Sequence, residues 1–489
     1  MAKFYITTPI YYVNDIAHIG NAYTTIAADV FARWHRLQGD DVFFLTGLDE
    51  NSQKTVKAAK DKTGISLGRD SIQRYADSMA DRWKKTWARL HISNNGFIRT
   101  TSPEHIKVVN DFFMKVYNKG DIYKGEYKGL YCPSCESFYL EKDLVEGKCP
   151  FHLQPPKMIS EENYFFRLST YQDALLKHIE KNPKFIQPVS RRNEVLSFLK
   201  EEGAKDISIS RPITEWGIPL PIDQKHTFWV WFDALVNYIS GAPQYWPANT
   251  HMLAKDILRF HCVIWPGMLM SAGYPLPEHL FVHGFLTVNG QKMSKSLGNA
   301  IDPLSLSEKY GLDALRYFLL REIPFGQDGD FNEAALKARL NNELADDLGN
   351  LVSRTLAMIE KYYDGKIPEA DVDGELVEKL DFDTIQKCMD KFELHRALEE
   401  IWNFIREVNK YLHENKPWEN EKRRAEILYT ALEGIRMIGI LISPFMPETA
   451  ERINERLNIR AGDFSELEFG LLQSGRKVNK GKNLFLKIE

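Results

Sequence analysis

Short β-prone runs alternate with helical segments through most of the chain, and long 3.6-residue apolar periods dominate the end. Phe4–Thr8 predicts a first strand, and the turn-rich stretch Pro9-Ile10-Tyr11-Tyr12-Val13-Asn14-Asp15 follows it. His18-Ile19-Gly20-Asn21 opens a helix expected over Ala22 to about Gln38, with Gly39 as its stop. Asp41–Thr46 predicts the next strand. Strand, helix and strand in succession make a βαβ unit, hence a parallel sheet. Such sheets bind ligands beyond the carboxyl ends of their strands. No G-x-G-x-x-G follows the first strand, so a dinucleotide site is not expected. Residues 53–115 predict further helices, with Trp83 and Trp87 on one core face. Trp231, Ala234, Leu235 and Tyr238 fall on one helical stripe, and Ile257, His261 and Trp265 on a second. Leu312–Glu322 predicts a helix. Beyond about Asn341 long amphipathic helices take over, over Leu344–Tyr362, Phe382–Glu414 and Glu419–Leu441, and predict a separate α-helical domain.

Composition narrows the class. A chain of 489 residues is too long for one core, so several domains are expected. Apolar content of 44% with 27% charge is that of a globular protein. A net charge of −4 excludes a uniformly basic nucleic-acid coat but not a local basic face. Lys477, Lys480, Lys482 and Lys487 crowd the last residues, near RNA backbone or simply solvated. Asn14, Asp15 and His18 interrupt the start before a signal-peptide core forms. No run of ~20 apolar residues predicts a membrane span, so a cytoplasmic protein is expected. Five cysteines are too few for a disulfide scaffold, and three of them cluster.

Three constellations carry chemistry. Cys132-Pro133-Ser134-Cys135 and Cys149-Pro150-Phe151-His152 are two ligand-x-x-ligand turns, thirteen residues apart. Together they satisfy tetrahedral Zn²⁺ and leave no open position, which predicts one structural zinc in a small lobe. Lys292, Met293, Ser294, Lys295 and Ser296, between Gly290 and Gly298, form a loop with two ammonium groups and two hydroxyls. That is what a triphosphate needs from a closing loop, although a solvated basic loop has the same composition. Gly20 permits a phosphate to approach the helix start, with His18 as a donor. In the two aromatic stripes, Tyr238 and His261 are polar tips and Ala234 leaves space. A thioether side chain wants such walls and one or two donors. In the helical region Asn350 and Arg354 share a face, and Trp418 follows the breaker Pro417. An amide, a cation and an aromatic suit single-stranded RNA bases.

The pair His18-Ile19-Gly20-Asn21 and Lys292-Met293-Ser294-Lys295-Ser296 resembles the two signatures of class I aminoacyl-tRNA synthetases. Thr7-Thr8-Pro9-Ile10-Tyr11-Tyr12 and Trp265-Pro266-Gly267-Met268-Leu269 resemble the methionyl branch of that family. The resemblance implies a Rossmann-like α/β catalytic domain, split by a zinc-binding connective insertion and followed by an α-helical anticodon-binding domain. The expected boundaries are 1–114, 115–228 for the insertion, 229–285, 286–340 for the stem-contact region with the lysine loop, and 341–489. The implied activity is ligation of L-methionine to tRNA(Met) with ATP and Mg²⁺. Catalysis is assigned by resemblance to His18, Asn21, Lys292 and Lys295. ATP binding adds Gly20, Met293, Ser294 and Ser296. Methionine falls to Pro9, Ile10, Tyr12, Asp49, Trp231, Ala234, Leu235, Tyr238, Ile257, His261 and Trp265, with Asp49 meeting the ammonium. The anticodon falls to Asn350, Arg354 and Trp418. Asn21 stands where the signature usually has a second histidine, and Asn51 where His is commoner. No C-terminal tRNA-binding barrel follows the helices, so a monomer is expected. Two rivals remain. Synthetases for leucine, isoleucine or valine need a larger editing insertion, and cysteine enzymes hold their substrate on an open zinc site, which a closed four-ligand set does not offer. A non-catalytic RNA-binding paralogue would not need the retained lysines.

Overall fold

The structure, a computed structural model, describes residues 1–63, 68–134, 137–139, 141–150, 153–212, 215–288, 290–292 and 301–488, with backbone alone at 63, 127, 128, 137, 138, 142, 159, 291 and 292. It divides into two compact units. One holds Lys3–Ala17 and Val42–His283. The other holds Met1–Ala2, His18–Asp41 and Gly284–Glu489.

The first unit is built on a six-stranded sheet. Its strands are β1 (Lys3–Tyr12), β2 (Asp41–Asp49), β3 (Gly96–Arg99), β7 (Ile186–Gln187), β8 (Thr250–Ala254) and β9 (His279–His283), in the order β3-β2-β1-β8-β9-β7. The pairs β2–β3, β1–β8, β8–β9 and β9–β7 run parallel. Met252, Leu253, Leu280 and Val282 are fully buried, as strands covered on both faces require. At Gly47 of β2 a Cβ would strike the carbonyl of Ile98 in β3, so only glycine fits the pairing. β1 continues through Tyr12, where a turn was expected from Pro9. β3 was not anticipated among the helices of residues 53–115.

Three further strands form the arm that leaves this sheet: β4 (Ile122–Cys132), β5 (Ser137–Tyr139) and β6 (Lys157–Phe166). β4 pairs with β6 antiparallel from Ile122↔Phe166 to Tyr131↔Lys157. The helices of the unit include α2 (Arg69–Arg89) and α3 (Pro103–Asn118). Trp83 and Trp87 of α2 are buried as expected, with Tyr11 stacked on Trp83 at 5.1 Å. The two predicted stripes are not regular helices. Trp231 to Tyr238 spans α4 (Val230–Leu235) and α5 (Asn237–Ser240), which break at Val236. Ile257 ends a 3₁₀ turn, Phe260–Ile264 is a π-helical stretch, and α6 (Trp265–Ala272) follows.

In the second unit α1 spans Ile19–Leu37, and Gly39 takes a φ of 83° just beyond it. β10 (Leu286–Val288) and β11 (Gln291–Lys292) form a hairpin across Gly290, whose φ is 73°. β12 (Gly329–Phe331) pairs parallel with β10. α7 spans Leu312–Arg321. A helix at Glu333–Arg339 runs through a π-helical stretch, Leu340–Gly349, into α8 (Asn350–Tyr363). The bundle continues with α9 (Phe382–Asp390), α10 (Leu394–Asn415), α11 (Arg424–Ile442) and α12 (Pro447–Leu457). The single helix expected over Phe382–Glu414 is two, because Phe392 takes a left-handed φ of 60° between them.

Candidate active site

Strand order places the pocket candidates of the first unit. The chain runs outward from β1 to β2 and β3 on one side, and β8 and β9 lie on the other. The crevice beyond the carboxyl ends at this reversal is where open α/β sheets bind ligands. Pro9, Ile10 and Tyr12 close β1, Asp49 closes β2, and Ile257 and His261 follow β8.

Tyr238 and His261 are each 1% exposed. His261 Nδ1 donates to the Ile257 carbonyl at 3.0 Å, which fixes the proton on that nitrogen. Nε2 is then the acceptor, and the Tyr238 hydroxyl donates to it at 2.7 Å. Burial lowers the His261 pKa to about 4, so the ring is neutral. Burial also raises the Tyr238 phenol above its usual value. The donors that the sequence reserved for a thioether are therefore engaged with each other or with the backbone. Trp231 lies flat against Phe260 at 3.8 Å and edge-on to His261 at 6.2 Å. Ala234, Leu235 and Trp265 are buried around the pair. Asp49 is 4% exposed.

Residues the sequence did not single out hold this pocket in place. His251 bonds Thr7 Oγ1 at 2.7 Å and accepts from Trp265 Nε1 at 3.4 Å, with its ring 4.2 Å from that of Tyr238. Burial lowers its pKa well below the usual histidine value. Tyr5 donates to the Tyr238 carbonyl at 2.7 Å. Asn51, one of the two departures from the family pattern, donates to Asp233 of α4 at 2.6 Å and to the Thr100 carbonyl at 3.1 Å. Glu50, beside Asp49, is buried and pairs with Arg99 at 2.7 Å, and Trp216 donates to the Glu50 carbonyl at 2.6 Å. Only the aromatic content of these segments could have flagged them, since Asn51 and Asp233 are 182 residues apart.

The nucleotide candidates lie in the second unit. His18 is the N-cap of α1. Its Nδ1 accepts from Gly20 N at 3.1 Å, and Asn21 Oδ1 accepts from His18 N at 3.1 Å. This is a capping box with histidine in the usual serine role. An accepting Nδ1 places the proton on Nε2, so the outer edge of His18 is a donor. Asn21 spends its oxygen on the cap. The Ile19 N–H donates to the Ile301 carbonyl at 3.0 Å, tying the first turn of α1 to the segment after the lysine loop. Lys292 pairs through its backbone with Thr287, and Gly290 N donates to Asp330 at 2.8 Å. Met293, Ser294, Lys295 and Ser296 lie outside the described residues.

Cys132 ends β4 and pairs with Ser137 across a hairpin. Cys149 follows the tight turn closed by Val145 and Lys148, and its N–H donates to the Gln154 carbonyl at 2.9 Å. Ser134 donates to Gln154 Oε1 at 3.3 Å, joining the two turns. Both cysteines are buried thiols outside any disulfide. Cys135 and His152 lie outside the described residues, and no group of three or more potential metal ligands occurs among the described ones. Cys262 and Cys388 are buried thiols, as expected.

In the bundle Asn350 is exposed at the start of α8. Arg354 is half-buried and donates to Asn409 at 3.4 Å. Trp418 is 38% exposed, with its indole N–H on Glu419 at 3.2 Å.

Comparison with known proteins gives the family. Residues 4–157 and 151–356 match the family model of class I tRNA synthetases (M), and residues 366–489 match that of the anticodon binding domain of methionyl tRNA ligase. The chain is 48% identical to a methionine–tRNA ligase of Caldanaerobacter subterraneus subsp. tengcongensis, over 99% of this chain and 79% of that one. It is 46% identical to one of Thermosynechococcus vestitus, over 99% and 97%. A solved Mycobacterium tuberculosis methionyl-tRNA synthetase bound by methionyl-adenylate is similar with a TM-score of 0.93 and 39% identity, covering 99% of this chain and 100% of that one. The chain belongs to the methionine–tRNA ligase family of class I aminoacyl-tRNA synthetases.

Proposed function

We propose that this chain joins L-methionine to tRNA(Met) in two steps. The methionine carboxylate attacks the α-phosphorus of ATP in line and pyrophosphate leaves. A terminal ribose hydroxyl of the tRNA then attacks the adenylate carbonyl and AMP leaves. The observation that carries this reading is the neutral Tyr238–His261 pair set in an aromatic pocket at the sheet's reversal point. Such a site favours an uncharged, polarizable side chain. Asp49, the last residue of β2, would hold the ammonium group. Because the Tyr238 hydroxyl and the His261 N–H are already engaged, the pocket acts on the sulfur through dispersion from its aromatic walls.

Phosphate stabilisation falls to His18 through its Nε2–H, to the Asn21 amide, and to Lys292 and Lys295, with Gly20, Met293, Ser294 and Ser296 around the nucleotide. Mg²⁺ comes with ATP. The step needs positioning and charge more than a general base. Cys132, Cys135, Cys149 and His152 would hold one zinc. The joined turns and two buried thiols support that set. The ion would supply folding energy to the lobe and no chemistry. Asn350, Arg354 and Trp418 would meet anticodon bases. The catalytic segments are taken as 1–114 and 229–285, the insertion as 115–228, the stem-contact region as 286–340 and the anticodon domain as 341–489. A cytoplasmic monomer goes with this reading, and sedimentation equilibrium tests the second term. Among the described residues no helix is long and apolar enough to cross a membrane. A single-turnover mixture of enzyme, ATP and methionine should give a burst of methionyl-adenylate. A non-catalytic RNA-binding paralogue would give none.

A further inference from the structure

Within the second unit one guanidinium is completely buried. Arg316 of α7 is 0% exposed, and so is its carboxylate partner Asp29 of α1, at 2.7 Å. Arg316 also donates to the carbonyls of Pro444 at 3.0 Å and Phe445 at 2.8 Å, in the turn between α11 and α12. Three residues earlier on α7, Asp313 accepts from the N–H of Thr449 at 2.6 Å. Asp29 in turn holds Arg33 at 2.8 Å. A buried cation is tolerable only while its donors are paired. The pairing here needs three separate segments in register, so moving one of them leaves a buried group unpaired.

Two of the three segments lead to proposed sites. α11 runs from Arg424 into this turn, about 28 Å at 1.5 Å per residue. At its far end Arg424 donates to the Pro417 carbonyl at 2.7 Å, next to Trp418, and stacks on Tyr362 of α8 at 4.1 Å. Residues Ile427 to Ile442 are buried throughout, which makes the helix a stiff rod. From Asp29, α1 runs about 16 Å back to the capping box of His18 and Asn21.

We propose that Arg316 is a positioning residue that couples RNA on the Trp418 face of the bundle to the first turn of α1. The proposal rests on the assignments of Trp418, Asn350 and Arg354 to RNA and of His18 and Asn21 to ATP. Displacing the Pro444–Phe445 turn strands the Arg316 charge unless Asp29 follows it. Bound RNA that fixes the α11 end therefore fixes the capping box.

The test uses the full chain with Asp29→Leu and Arg316→Met together, which removes both charges at similar volume. Without RNA, the double variant should stay folded at a lower melting temperature, since the Pro444 and Phe445 carbonyls lose their donor, and support methionine-dependent pyrophosphate exchange at a similar rate. The ratio of charging kcat/KM, tRNA(Met) over the same tRNA with one altered anticodon base, should fall about tenfold and chiefly in kcat. An unchanged ratio overturns the coupling. A wild type that does not charge tRNA(Met) at all overturns the function beneath it instead. A second measurement needs no variant. An anticodon stem–loop RNA added to wild-type protein should slow amide exchange at both Ser443–Met446 and Ile19–Ala22. Slowing at neither segment, or at Ser443–Met446 alone, overturns the coupling.

Discussion

Neutral buried histidines make the pocket sensitive to acid. The His261 pKa is lowered to about 4 and that of His105, bonded to Ser240, to about 3, both by burial. The unfolded chain therefore binds more protons than the folded one between pH 6.5 and about 4. Stability is fully present above pH 6.5 and falls as pH drops, by about 1.4 kcal/mol per pH unit for each such histidine. Urea titrations at several pH values measure this slope. His105→Leu should flatten it by about one proton's worth. At the same scale, Asp49→Ala should lower kcat/KM for methionine by about a hundredfold or more, the loss of a charge-assisted contact, and leave KM for ATP nearly unchanged. Pyrophosphate exchange measures both. Tyr238 and His261 were legible as polar tips in apolar stripes, and Asp49 only through the family resemblance. His251, Phe260 and the Asn51–Asp233 contact were not. Their meaning comes from partners far along the chain, and no local pattern records those.

Helix starts and strand pairings follow local chemistry, and their failures are local too. Asn21→Ala removes one half of the α1 capping box and should cost about 1 kcal/mol in thermal or urea unfolding. Asn21→His keeps an acceptor at that position and should recover most of it. Equal losses for both variants would mean that histidine does not restore the cap, and no loss for Asn21→Ala would mean that the cap contributes nothing. Gly47→Ala should prevent β2 and β3 from pairing, since the obstacle is the Ile98 backbone and cannot rotate away. A cost of about 3 kcal/mol or more is expected, read as loss of soluble protein. The same locality explains what was misread. A 3.6-residue period cannot register the π-helical stretch at Phe260–Ile264, which has the wrong number of residues per turn. Nor can it show the break at Val236 or the left-handed Phe392, which depend on tertiary packing. The extension of β1 to Tyr12 was hidden by Pro9, a residue that favours turns until an edge or strand end accommodates it.

Across the whole molecule, the α/β sheet, the helical bundle and their order were legible from motif order and a change in hydrophobic period. The grouping of α1 with the C-terminal half was not, because it is made by contacts such as Asp29–Arg316 that join distant segments. If Cys132, Cys135, Cys149 and His152 hold zinc, purified protein should contain one zinc per chain by atomic absorption, and Cys149→Ser should contain none. Exhaustive chelation should then lower the melting temperature, and added zinc should restore it. If the pocket selects methionine for activation by ATP, ATP–pyrophosphate exchange with each of the twenty amino acids in turn should occur with methionine alone. Exchange with leucine, isoleucine, valine or cysteine in its place, or with no amino acid at all, would contradict that selection.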